Sequence, residues 1–241
     1  AGGVAQFLYA TRVFSWATLM SACAEAEVLS PYVPVGVCGT EDDREQCCFS
    51  ISDPRCRVLA EMAADVLTAL SSAWPDFRIR GDRAFVLRGG SHSQYVHLDW
   101  HTTPSGVVAA DSVTVFVPLE IAGRAFGLQA GCGLQQLVLA GGSVAVLSAG
   151  AYHCGLAVDG QRPVLFFYAD RVGTIQGAAS ESEVDSTLWE DLDPRTQVLY
   201  CCRETRVSGL ASLTRQLELC FEAAQAAPRS RRAPVRYLGG Q

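Results

Sequence analysis

Between residues 84 and 169 the chain repeats one texture. Short apolar runs, rich in valine, phenylalanine and tyrosine, are each closed by glycine or polar residues. They cover 84–88, 93–98, 112–119, 124–129, 134–140, 144–149, 154–158 and 162–169. Short strands at regular spacing with glycine turns predict a barrel or a sandwich. Ala125 to Val158 carries no formal charge, yet seven glycines, three glutamines and a histidine interrupt it. It reads as strands and turns, not as a lipid-facing helix.

The flanks differ from this core. Residues 8–29 contain no glycine or proline, and Leu8, Val13, Phe14, Ala17, Leu19 and Met20 lie near helical spacing, which predicts a helix. Residues 30–52, with prolines, glycines and the run Glu41-Asp42-Asp43, predict a loop with one short strand. Residues 53–73 predict a second helix: Asp53 caps, Pro54 suits the first turn, and Val58, Leu59, Met62, Val66, Leu67 and Leu70 form its apolar face. Beyond 172 the chain turns polar, with six acids over 181–193, a predicted strand over 196–203, a predicted helix over 208–226 and a tail bearing four arginines. The expected fold is α+β, mainly β: a jelly roll with supporting N-terminal helices. As one domain, residues 1–76 give helical support, 77–172 the jelly-roll core, and 173–241 a C-terminal extension with the Arg-rich tail.

Composition narrows the chemistry. With 241 residues, 49% of them hydrophobic, the chain can bury a sizeable core and is not intrinsically disordered. A net charge of −6 argues against a generally nucleic-acid-coating surface. There are 19 arginines and no lysine, which removes Schiff-base and P-loop lysine chemistry. Neither a GxSxG elbow nor a GxGxxG loop occurs. The N-terminus lacks a basic region ahead of an apolar core, so the expectation is an intracellular protein, nuclear or cytoplasmic, with no membrane partner. Ten cysteines without a CxxC read as reduced thiols, with a disulfide among Cys38, Cys47, Cys48 and Cys56 left open.

Three of the four histidines, His92, His97 and His101, fall within ten residues; the fourth is His153. In Ser93-Gln-Tyr95-Val-His97-Leu-Asp99-Trp-His101, residues two apart share a strand face. His97 and Asp99 can thus take adjacent positions around one metal, and His153, from a distant strand, would complete a two-His-one-carboxylate face. Such a face leaves coordination positions open for a co-substrate and O2, which suits non-haem Fe(II). Arg162 follows nine residues after His153 and opens an apolar run, so its charge needs an anionic partner. A surface strand start or a structural ion pair would also account for it. HxDxH alone could hold zinc, but zinc gives His153 and Arg162 no role.

The order HxD…H…R on this strand pattern resembles the Fe(II)/2-oxoglutarate dioxygenases, whose fold is a double-stranded β-helix. The resemblance covers residues 80–172. It implies that His97, Asp99 and His153 hold Fe(II), that Arg162 binds the distal carboxylate of 2-oxoglutarate, and that O2 oxidises a substrate C–H bond. Two motifs are also similar to the TET/JBP branch, which oxidises 5-methylcytosine or thymine: His97-Leu-Asp99-Trp-His101-Thr102-Thr-Pro-Ser-Gly106, of the form HxDxHxxxxG, and Arg162-Pro-Val-Leu165-Phe-Phe-Tyr168, of the form RxxLxFY. That branch often has asparagine at the position of Thr102 and serine at that of Val164. By that narrower likeness His101 and Thr102 would meet the base, and a flipped base would need phosphate contacts from the run Arg78, Arg80, Arg83 and Arg88, Arg83 and Arg88 above all. Solvated strand faces would account equally for that run. Tyr95, on the face of His97, would touch 2-oxoglutarate or pack the barrel. Two alternatives stay open: a small-molecule or protein hydroxylase similar to the phytanoyl-CoA hydroxylases, and a non-catalytic jelly-roll binding module.

Overall fold

A computed structural model describes residues 5–35, 43–73, 76–99, 112–130, 133–148, 151, 153–171, 182–188 and 202–226. The chain opens with β1 (Ala5–Thr11), α1 (Trp16–Val28), β2 (Val33–Pro34) and β3 (Glu45–Ser50). It continues through α2 (Arg57–Ala73), β4 (Phe77–Ile79), β5 (Arg83–Arg88) and β6 (Tyr95–Leu98). The barrel is completed by β7 (Ser112–Pro118), β8 (Arg124–Ala130), β9 (Gly133–Leu139), β10 (Val144–Ser148), β11 (His153–Gly155) and β12 (Val164–Arg171). Then come β13 (Ser182–Leu188), β14 (Cys202–Ser208) and α3 (Leu210–Ala226).

The strands form the expected jelly roll. One half carries β10, β7, β12 and β5 in that order; the other carries β6, β11 and β8, with β9 against β8. β14 lies between β8 and β1, parallel to both, and β1 continues antiparallel into β10. Residues outside the 77–172 core thereby enter the sheet: β1 and β14 join its halves, β3 and β2 extend one edge, and β13 pairs with β6 at the other.

Alternation assigns each side chain a layer. On β7 and β12, Val113, Val115, Val117, Leu165, Phe167 and Ala169 face the helices, where Leu19, Ala22, Leu59, Met62, Val66, Leu70, Leu213 and Leu217 cover them. The opposite residues, Phe116, Phe166 and Tyr168 among them, face the barrel interior. A second apolar cluster there includes Tyr9, Phe126, Leu139, Ala145 and Leu147. Both faces of this sheet are covered, which is why its strands read as nearly continuous apolar runs.

The same double burial overturns part of the helix expected over 8–29. Residues 8–11 are strand, because Leu8 and Ala10 meet the helical layer while Tyr9 enters the barrel. A strand buried on both faces has no alternation to distinguish it from a helix. The helix begins at Trp16, where the Ser15 hydroxyl accepts from the Thr18 N–H at 3.2 Å. Asp53 accepts from the Arg55 N–H, as a cap should, but over a short 3-10 turn, Pro54–Cys56. The cap of α2 itself comes from α1: Glu25 accepts from the N–H groups of Val58 and Leu59 at 2.9 and 3.0 Å.

Three boundaries move. The 30–52 segment contains two strands. The strand expected over 196–203 is described over Cys202–Ser208, with 196–201 outside the described residues. The run expected to begin at Arg162 enters the sheet only at Val164. Cys47, Cys48 and Cys56 form no disulfide; Cys38 lies outside the described residues. Among the described residues no helix is long and apolar enough to cross a membrane.

Candidate metal centre

Two very short strands bring the candidate ligands together. β11 pairs antiparallel with β6, and His153 stands directly opposite His97. The two rings lie 4.7 Å apart between centroids. Asp99, two residues beyond His97, turns its carboxylate into the gap: Oδ1 is 3.5 Å from His97 Nε2 and Oδ2 is 3.3 Å from His153 Nε2. One ligand atom from each of the three residues lies within 4.8 Å of the others.

The site is buried. His97, Asp99 and His153 are 3%, 5% and 2% exposed. His153 Nδ1 lies 2.9 Å from the Ala151 carbonyl, which can only accept, so Nδ1 carries the proton and donates. That tautomer leaves Nε2 aimed at Asp99 as a lone pair in the neutral ring. His153 Nε2 and Asp99 Oδ2 make no hydrogen bond within the protein. Buried polar atoms without such partners are rare, and a cation seated between them would satisfy both. Two imidazoles and a carboxylate are also the donor types that hold a first-row divalent metal.

Electrostatics of the metal-free pair point the same way. Burial raises the Asp99 carboxyl, but the neighbouring imidazoles, His153 foremost, outweigh it and hold the group well below the usual carboxylate range. Burial lowers the His153 imidazole, but the Asp99 charge prevails and raises it above its ordinary value of 6.5.

The three residues line a cavity of about 620 Å³, open mouth included. One wall is aromatic. Phe126 stacks on the His153 ring at 5.4 Å, and Phe126, Phe116 and Phe166 follow one another at 5.6 and 5.9 Å. The cation on the wall is Arg124, 4% exposed, at the start of β8. Arg124 and Phe126, two residues apart on β8, share a strand face.

Arg162 is not among these cavity walls. It precedes Pro163 with φ of 26°, a strained conformation for a non-glycine residue. Its carbonyl accepts from Arg124 Nη1 at 3.2 Å, so the two arginines meet at the cavity's edge with Arg124 inside. Sequence reasoning missed Arg124, although the test applied to Arg162, an arginine opening an apolar run, fits it as well.

The remaining candidates divide. Arg88 donates through Nε and Nη2 to Glu45 Oε2 at 3.1 and 2.9 Å, and its guanidinium lies 3.6 Å from the Tyr32 ring centroid. It is held in a local cluster on the strand face opposite Leu87, which lines the cavity. Arg80 is likewise bound to Asp170, at 2.6 Å. Arg83 is exposed at the start of β5. Tyr95 belongs to β6, with its side chain outside the described residues, as are His101, Thr102 and Trp100. His92 is exposed on the turn before β6, as a loop residue should be.

No family model and no curated protein matches the sequence. Solved structures share its fold. HygX from Streptomyces hygroscopicus with nickel, 2-oxoglutarate and hygromycin B bound superimposes with a TM-score of 0.56 at 16% identity, over 79% of this chain and 96% of that one. A prolyl hydroxylase from Trichoplax adhaerens, in complex with a hypoxia inducible factor peptide fragment, gives 0.56 at 10% identity, over 68% and 83%. SnoN, an alpha ketoglutarate dependent epimerase from nogalamycin biosynthesis, gives 0.53 at 13%, over 79% and 88%. At these identities the likeness establishes the jelly-roll fold.

Proposed function

We propose that this protein is an Fe(II)- and 2-oxoglutarate-dependent oxygenase that oxidises a C–H bond of a small molecule or a protein side chain. One observation carries the reading: His97, Asp99 and His153 converge in the interior of a jelly roll, on a cavity whose wall holds a buried arginine. The fold neighbours support it, since HygX is seen with a metal and 2-oxoglutarate, and SnoN is named as dependent on the same co-substrate.

His97 and His153 would hold the iron through Nε2 and Asp99 through its carboxylate, in the donor arrangement described above. Iron with 2-oxoglutarate and O2 supplies an oxidant that inserts oxygen into a C–H bond, releasing succinate and CO2. The protein's own part is positional. The Ala151 carbonyl keeps the His153 Nδ1 protonated and its Nε2 available. Arg124, desolvated and inside the cavity, is the cation for the distal carboxylate of 2-oxoglutarate. Phe116, Phe126 and Phe166 keep bulk water from the site.

The narrower reading, oxidation of the 5-methyl group of cytosine in DNA, rests on the HxDxHxxxxG and RxxLxFY motifs. Of the arginine run proposed to hold phosphates, Arg80 and Arg88 are bound to Asp170 and Glu45, which leaves Arg78 and Arg83 for that role.

Anaerobic absorption tests the main reading. Adding Fe(II) and then 2-oxoglutarate should produce a visible charge-transfer band that requires both and is missing in His153→Ala. A protein that binds no Fe(II), or binds it with no band on adding 2-oxoglutarate, sinks the proposal.

A further inference from the structure

The strands carrying the two histidines are too short to fix their own alignment. β11 has three residues and β6 four, and His153 opposite His97 is their registered pair. A slip of one position would turn His97 to the other face of the sheet. What prevents the slip lies beside the ladder. Gly155 N–H donates to Gln94 Oε1 at 2.9 Å, and Gln94 N–H donates to the Gly155 carbonyl at 2.8 Å. Arg44 Nη2 reaches the carbonyls of Gly155 and Leu156 at 3.0 and 3.3 Å from a site with no exposed surface.

The next contacts extend the seam. Ala157 N–H donates to Ser93 Oγ, Val158 N–H to the Gly90 carbonyl, and Gly89 N–H to the Gln161 carbonyl. Asp43, beside Arg44, accepts from the N–H groups of Gly90 and Ser91 at 2.8 and 2.6 Å. The room for this seam is built in. A Cβ at Gly90 would come within 2.9 Å of Arg44 Nη2, and one at Gly155 within 2.8 Å of Gln94 Oε1. Gly90 also holds φ of 117°, which side-chain-bearing residues rarely adopt.

We propose that Arg44 and Gln94 are positioning residues for the metal centre: they clasp the segment after His153 to the segment before His97 and so set the spacing of the two imidazoles. This rests on the metal-centre reading given above. Arg44 lies outside the cavity wall and acts through the backbone of β11. Gln94 lies on the wall and acts through Gly155.

Co(II), followed by its visible d–d absorption and by competition for affinity, tests this in the full chain. Arg44→Met and Gln94→Met should each weaken Co(II) binding by about 10- to 100-fold, the range for residues that orient ligands from behind, and should alter the d–d band. Arg80→Met is the control. It removes a largely buried guanidinium from Asp170 on β12, a strand that pairs with neither β6 nor β11, and should lower thermal stability while leaving Co(II) affinity and band unchanged. Should Arg44→Met fail to fold, Arg44→Lys, which keeps one donor, replaces it, with an expected loss smaller than that of Gln94→Met. Variants that bind Co(II) within about threefold of the wild type with the same band overturn the clasp alone. An Arg80→Met effect on Co(II) as large as theirs also overturns it. A wild-type protein that binds no Co(II) overturns the metal-centre reading, and the clasp with it.

Discussion

His153 Nε2 and Asp99 Oδ2 face each other at 3.3 Å inside the barrel, and neither atom has a hydrogen-bond partner in the protein. This pair links the sequence motif to its distant complement.

A divalent metal should stabilise the protein strongly. A ligand that binds the folded state alone, present at a hundred times its dissociation constant, contributes about 2.7 kcal/mol. Thermal melting with Co(II) should shift upward in the wild type and stay unmoved in Asp99→Ala and His153→Ala. A shift of equal size in either variant would remove that residue from the ligand set.

The metal-free pair should respond to pH at both ends. Asp99 is depressed, so its contribution is present above the ordinary carboxylate range and lost as pH falls through its folded value. His153 is raised, so its contribution is complete below 6.5 and lost as pH rises through its folded value. Stability of the metal-free protein should therefore peak between those limits. Metal affinity runs the other way at the upper end, because Nε2 must lose its proton to bind, and should climb about tenfold per pH unit until His153 is neutral. Calorimetry in two buffers of different ionisation enthalpy should find proton release on metal binding below that point. Zero release there would contradict a protonated His153.

The two arginines can be separated. Arg124→Met should weaken 2-oxoglutarate binding by about 100-fold, since breaking a buried charge pair costs about 2–5 kcal/mol. Arg162→Met should change it by less than about threefold, because its side chain is off the cavity wall. The reverse ranking, read by titration under anaerobic conditions, would return the role to Arg162.

The DNA reading has its own signature. Each phosphate contact contributes about 0.9 to the slope of log affinity against log salt. On a duplex containing 5-methylcytosine, Arg83→Ala should lower that slope by about 1 if Arg83 holds a phosphate, and Arg88→Ala should leave it unchanged because Glu45 and Tyr32 already hold that side chain. No salt-dependent binding at all would remove DNA as substrate.

The helical layer should be essential to the sheet. Phe167 is fully buried between β12 and the helices, and Phe167→Ala should cost about 3–5 kcal/mol in denaturant unfolding. A loss under about 1 kcal/mol would mean that the layer closes over the vacated space.

How much was legible follows from the range of each signal. The jelly-roll strands from 84 to 169 announced themselves because glycine turns punctuate them. α2 was readable because one face stays polar while the other is apolar. β1 was not, because Leu8, Tyr9 and Ala10 are buried on both sides of the sheet and carry no period. Arg162 and Arg124 looked alike in sequence, each opening an apolar run; the turn at Arg162-Pro163 and the inward start of β8 separate them.

The local residue order alone determined the candidate ligand types, the His97–Asp99 face, the strand-and-turn texture and the absence of lysine chemistry. Only the tertiary structure decided that His153 stands across from His97, that Arg124 enters the cavity, that Arg88 is taken by Glu45, and that Arg44 and Gln94 align the short strands. Periodicity and turn chemistry act over a few residues, whereas register, burial and charge pairing depend on segments far apart in sequence meeting in one sheet.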